Sequence, residues 1–101
     1  MSFTAKILHD ARLDIIETIA WYNEQQVGLG KRFRTALTET ISRIRDNPML
    51  SAVQYRNVRM AYINKFPHLV YYIFEEQRQG IIVLAILHGS RNPAIWKGRA
   101  G

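Results

Sequence analysis

The sequence predicts an α+β fold in which a helical hairpin packs on a mainly antiparallel sheet, in the order β-α-α-β-β-β. Three observations lead there: apolar residues alternate near the N-terminus, recur at helical spacing between residues 11 and 46, and alternate again from residue 58 to 88. A chain of 101 residues is expected to form one domain, because at this size it cannot divide into two self-sufficient cores.

Phe3, Ala5 and Ile7 alternate with Thr4 and Lys6, the period of a half-buried strand, predicted over about residues 2–8. Asp10 is placed as the N-cap of a first helix running from about Ala11 to Gln25, and Asp14 falls in or near the first turn, where a carboxylate suits the helix dipole. Leu13, Ile16 and Ala20, with Ile15, Ile19 and Tyr22, supply a broad apolar face. Gly28-Leu29-Gly30 breaks the helix, since glycine readily takes the left-handed conformation.

The second helix opens near Leu29 or Gly30 and carries Phe33, Leu37, Ile41 and Ile44 as one buried stripe. Arg43 and Arg45 occupy its last turn, and Asn47-Pro48 ends it. The tight link between the helices implies an antiparallel hairpin. Residues 49–57 read as a surface connection anchored by Val53 and Tyr55. Three strands follow, Val58 to Asn64, Leu69 to Glu75 and Ile81 to His88, joined at Phe66-Pro67 and at Gln77-Arg78-Gln79-Gly80. The last strand is apolar on both faces and is therefore expected to be central. The tail from Gly89 to Gly101 is polar and basic and is expected to be mobile at its end.

Fourteen Lys and Arg against eight Asp and Glu give a net charge of +6, unevenly placed. Residues 1–50 hold seven basic and six acidic groups, whereas residues 51–101 hold seven basic groups and only Glu75 and Glu76. A positive half of this kind favours a polyanion or an acidic protein segment as partner, although it can equally serve solubility. With no cysteine, disulfides and thiolate zinc sites are excluded, and the cytoplasm is the expected compartment. The first residues lack a signal-peptide pattern, and the longest apolar run, Ile81 to Leu87, is too short to span a bilayer.

There is no phosphate-cradling glycine loop and no nucleophile elbow, and no cofactor is expected. His9, His68 and His88 lack the i, i+4 spacing of a helical metal pair, so no metal is expected. If Glu75 pairs with Ile81, residues whose numbers sum to 156 face each other, and His68 comes opposite His88. A slip of one residue would move one of them to the other face. Two imidazoles beside Lys65 and Arg91 could act as acid and base on a ribose 2′-hydroxyl, but ordinary strand-end histidines bonded to backbone are the favoured reading. Arg56, Arg59 and Lys65 precede or lie on the second strand, and Arg91, Lys97 and Arg99 follow the last with Trp96 among them. Such a surface can bind nucleic acid or receive an acidic amphipathic segment. Trp96 can also staple the tail to the core, and Trp21 and Tyr22 read as packing residues.

Together these residues resemble the ParE-type toxins of the RelE/ParE superfamily. The first half carries Ala11, Asp14, Ile15, Trp21 and Tyr22, then Gly28-Leu29-Gly30 with Phe33, then Asn47-Pro48. The second carries Tyr55-Arg56, Arg59, Lys65-Phe66-Pro67, Val70-Tyr71-Tyr72 and the closing series His88, Arg91, Pro93, Trp96, Arg99. The resemblance implies the same β-α-α-β-β-β fold and the toxin half of a type II toxin–antitoxin system, bound by a cognate antitoxin whose C-terminal segment folds on contact. It also implies one of two activities: poisoning of DNA gyrase, as in ParE-like members, or metal-independent cleavage of mRNA in the ribosomal A site, as in RelE-like ones. A third possibility is a member that only binds its antitoxin. Nuclease members place lysines and arginines with a tyrosine, or a histidine–tyrosine pair, near the end of the last strand. Here no tyrosine follows Tyr72, and Gly89 follows His88, so gyrase is favoured. Arg59, Lys65, His88, Arg91, Trp96 and Arg99 are the expected partner-binding residues; His88, Arg91, Arg59 and Lys65 would be the catalytic set of a nuclease.

Overall fold

The computed structural model describes residues 2–100. Strand β1 (Thr4–Ile7) leads into helices α1 (His9–Gln25) and α2 (Leu29–Asp46), followed by strands β2 (Val53–Tyr55), β3 (Val58–Tyr62), β4 (His68–Glu75) and β5 (Gly80–His88) and a last helix α3 (Ala94–Arg99). One sheet has the order β1-β5-β4-β3-β2, with β1 parallel to β5 and every other pair antiparallel. The α+β architecture is thus the expected one, with two elements added. The connection after Pro48 contains a short edge strand, β2, paired with β3. The basic tail folds into α3 rather than running free, and its end at Gly101 lies outside the described residues.

The hairpin closes by a specific contact. Gly28 takes a left-handed φ of 87° and opens α2, while the Gly30 N–H donates to Asn23 Oδ1 at 2.9 Å. A Cβ at residue 30 would come within 2.6 Å of that oxygen and 2.7 Å of the Ile19 carbonyl, so only glycine lets the helices approach this closely. At the other end, α1 begins at His9, and Asp10 is not its N-cap. Leu8 holds that position without a side-chain bond, and Asp10 sits in the first turn.

Both sheet faces are covered, which is why β5 is apolar throughout. On one face Phe33, Leu37 and Ile44 of α2 and Ala11 and Tyr22 of α1 pack on Val70, Tyr72, Ile81, Val83 and Ile86. On the other, Trp96 of α3 packs with Leu69, Tyr71, Leu84, Ala85 and Leu87, stacking on Tyr71 at 5.0 Å. Strand β1 ends its pairing at Val83, so the edge of β5 beyond it needs another partner. Asp14 supplies one, accepting the Ile86 N–H at 3.0 Å. Arg99 supplies another, donating to the Leu84 carbonyl at 3.2 Å and to Asp14 Oδ2 at 2.6 Å.

The register of β4 and β5 departs from expectation at the turn and recovers it at the far end. Glu75 pairs with Gly80, not Ile81, and this offset continues to Tyr72 and Val83. Leu84 is then left without a partner, and from Tyr71 and Ala85 onward the paired numbers sum to 156. This bulge returns His88 to the helix-covered face, opposite His68.

Candidate functional site

His68 begins β4 and His88 ends β5, and their rings meet edge to face with centroids 5.4 Å apart. His68 is buried among aromatic rings: Phe33 at 5.2 Å and Tyr22 at 5.6 Å. The Tyr22 hydroxyl reaches its Nδ1 at 3.4 Å. Burial, and secondarily the neighbouring His88, lowers the pKa of His68 to about 4, so this imidazole is neutral at physiological pH. His88 is exposed, and its Nδ1 accepts the Ser90 N–H at 3.0 Å. Neutral His88 therefore carries its proton on Nε2.

A cleft of about 300 Å³ opens over this pair, lined by Glu17, Thr18 and Trp21 of α1 with His68, His88 and Arg91. Trp21, expected as packing, is 54 % exposed there, whereas its neighbour Tyr22 is buried as anticipated. The Trp21 indole and the Thr18 hydroxyl were not among the expected site residues. Their signal lay in the helical spacing that puts Glu17, Thr18 and Trp21 together on the flank of α1 facing the end of β5.

The remaining expected residues are dispersed. Lys65 sits in the β3–β4 turn at a left-handed φ of 68° and lines a different depression with Lys31, Arg32 and Phe66. Arg59 pairs across β3–β4 with Tyr72, which faces Val83. Its backbone thus lies roughly 16 Å along the strands and about 10 Å across them from His88, and its guanidinium donates to the Ser51 carbonyl at 2.6 Å. Trp96 is buried between Tyr71 and Tyr55. Arg99 is held by Asp14, with Asp10 3.9 Å away; the Asp14 hydrogen bond is the main reason that its pKa is raised further. Only His88 and Arg91, of the six, share the cleft.

Solved structures similar to this fold include two toxin structures. One is the Escherichia coli toxin RelE, as an arginine-to-alanine double mutant in the free state: 12 % identity, 89 % of this chain, 86 % of that chain and a TM-score of 0.67. The other is the toxin–antitoxin complex RelBE2 from Mycobacterium tuberculosis: 15 % identity, 87 % of this chain, 99 % of that chain and a TM-score of 0.66. The class of protein is therefore one built on the RelE-like toxin fold. No curated protein matches the chain by sequence. Residues 5–93 match the family described as the ParE toxin of type II toxin-antitoxin system, parDE. The chain belongs to that family, as a toxin of the ParE/RelE superfamily. No described helix is long and apolar enough to cross a membrane.

Proposed function

We propose that this toxin inhibits DNA gyrase by binding it, and that a cognate antitoxin holds the toxin silent. The observation that carries the proposal is the separation of Arg59 from the other groups a metal-independent ribonuclease would need. His88 and Arg91 line one cleft, Lys65 lies against α2, and Arg59 is on the far half of β3 with its guanidinium bonded to the Ser51 carbonyl. An Arg59 guanidinium tied down at that distance does not converge with His88 and Arg91 on one scissile phosphate. Binding a large protein surface has no such requirement, and scattered cations serve it well.

The left-handed Lys65 supports a surface role. Glycine or asparagine would fit that turn more easily, and lysine there costs about 1 kcal/mol. Lys65, His88 and Arg91 are exposed and form the proposed gyrase-facing end, with Arg59 at its margin. Trp96 and Arg99 contribute by holding the end of the sheet in place. An acidic antitoxin segment suits the net charge of +6, and the RelBE2 structure pairs a toxin of this fold with its antitoxin.

One observation favours a second reading. His68 and His88 face each other beside Arg91, a pair that could work as base and acid on RNA. Induced expression in a bacterium separates the two. Filamentation, an SOS response and gyrase-dependent DNA breaks are the expected outcome; cleaved transcripts with intact chromosomes would replace gyrase by mRNA. A complete absence of growth defect would leave an antitoxin-binding member without a target.

A further inference from the structure

Helix α1 is apolar on two sides, and the fold uses only one. Ala11 and Tyr22 are buried against the sheet, with Ile15 and Ile19 packed beside them. On the solvent side Leu13 is 43 % and Ile16 63 % exposed, and Ala20 continues the line, also exposed. The spacing is three, then four, which is the seam spacing by which one helix lies along another at a shallow angle. Glu17, directly after Ile16, and Glu24, four residues after Ala20, are exposed along one side of the stripe, and exposed Arg12, directly before Leu13, borders the other.

The charge on the Glu17–Glu24 side of this stripe runs against that of the molecule, whereas the other side has Arg12 and faces Lys31 and Arg34 of α2. Of eight acidic residues in a chain of net +6, Asp10, Asp14, Glu17 and Glu24 are on α1, where Arg12 is the only lysine or arginine. Asp14 is turned inward and neutralised by Arg99; the others face outward. A second exposed apolar pair, Leu50 and Tyr62, instead lines a groove that contains Arg43 and no acidic residue. The two apolar surfaces therefore suit partners of opposite charge.

We propose that the solvent face of α1 is a docking surface for an amphipathic helix of a protein partner, with an apolar stripe at three-and-four spacing and Lys or Arg along the flank that meets Glu17 and Glu24. A second copy of the chain fits poorly, because it would bring the same glutamates to the seam. An acidic antitoxin segment is disfavoured for the same reason, so this surface is separate from the one that suits such a segment.

The test uses two synthetic three-heptad helical peptides with leucine at both seam positions, one flanked by lysine and one by glutamate, titrated against the full toxin by fluorescence anisotropy. The lysine peptide is expected to bind at least about tenfold more tightly than the glutamate peptide. Ile16→Lys should abolish that binding, and Glu17→Lys with Glu24→Lys should reverse the preference. These side chains are exposed, so circular dichroism and the melting temperature should match the parent. Absence of binding, equal binding of both peptides, or indifference to Ile16→Lys would overturn the proposal. So would a toxin dimer, seen by sedimentation, that Ile16→Lys dissolves. None of these readouts involves gyrase, so failure here is distinguishable from failure of the target assignment.

Discussion

Arg91 and Arg99 lie a few residues apart near the end of the chain, yet the fold treats them in opposite ways. Arg99 turns under α3 and is enclosed, bound to Asp14 at 2.6 Å and to the Leu84 carbonyl at 3.2 Å. Arg91, just after β5, stays exposed at the rim of the cleft with His88 and Trp21. The first arginine completes the hydrogen bonding of an unpaired strand edge; the second leaves its donors available to a ligand. The comparison teaches that a basic C-terminal stretch is not one functional unit. Burial and partner, rather than charge, divide it into a part that holds the site and a part that presents it.

Removing the carboxylate of the enclosed pair should have the largest effect. Asp14→Ala leaves the Arg99 guanidinium with the Leu84 carbonyl and the more distant, exposed Asp10, and the Ile86 N–H without its Asp14 acceptor. It is expected to cost about 3–5 kcal/mol and lower the Tm by more than about 10 °C, measured by thermal unfolding. A loss below about 1 kcal/mol would mean that the edge of β5 finds other partners.

A smaller effect should come from pH. The His68 pKa falls from its ordinary 6.5 to about 4 on folding, so the unfolded chain takes up a proton first. Stability from this group is complete above pH 6.5, declines as pH falls toward 4 and levels off below. The slope in that window is at most about 1.4 kcal/mol per pH unit. Denaturant titrations across it should show the decline, and His68→Leu should flatten it. A decline unchanged in that variant would assign it to other groups.

The smallest effect on stability should come from the open side of the comparison. His88→Ala and Arg91→Ala are expected to shift unfolding by less than about 0.5 kcal/mol while lowering toxicity in a growth assay. Full toxicity in both would remove this end of the sheet from the site.

The parts of the fold that repeat a period were legible in the sequence. The stripe through Phe33, Leu37 and Ile44 and the unbroken apolar run of β5 marked the second helix and the central strand directly, whereas the cover that α3 lays on the second sheet face was not legible. The facing of His68 and His88 was also anticipated, but through a register wrong by one at the turn, which the Leu84 bulge restores. Nothing local marks that bulge, because an apolar residue suits either face of a sheet covered on both sides. The pairing of Asp14 with Arg99 joins residues separated by most of the chain and likewise has no local signature. Helix α3 had one: Asn92-Pro93 is a helix-start pair, and the Asn92 side chain does accept the Ala94 N–H at 3.0 Å. Strand β2, three residues long, carries too short an alternation to distinguish from a loop.

The most direct measurement is gyrase supercoiling and plasmid cleavage with purified toxin, comparing the parent with Arg91→Ala and His88→Ala at matched concentrations. The expected result is gyrase-dependent DNA breakage by the parent, reduced about tenfold or more in the folded Arg91→Ala variant, which would correspond to at least about 1.4 kcal/mol of lost binding. The contradicting result is unaltered gyrase alongside cleavage of ribosome-bound mRNA that His88→Ala abolishes.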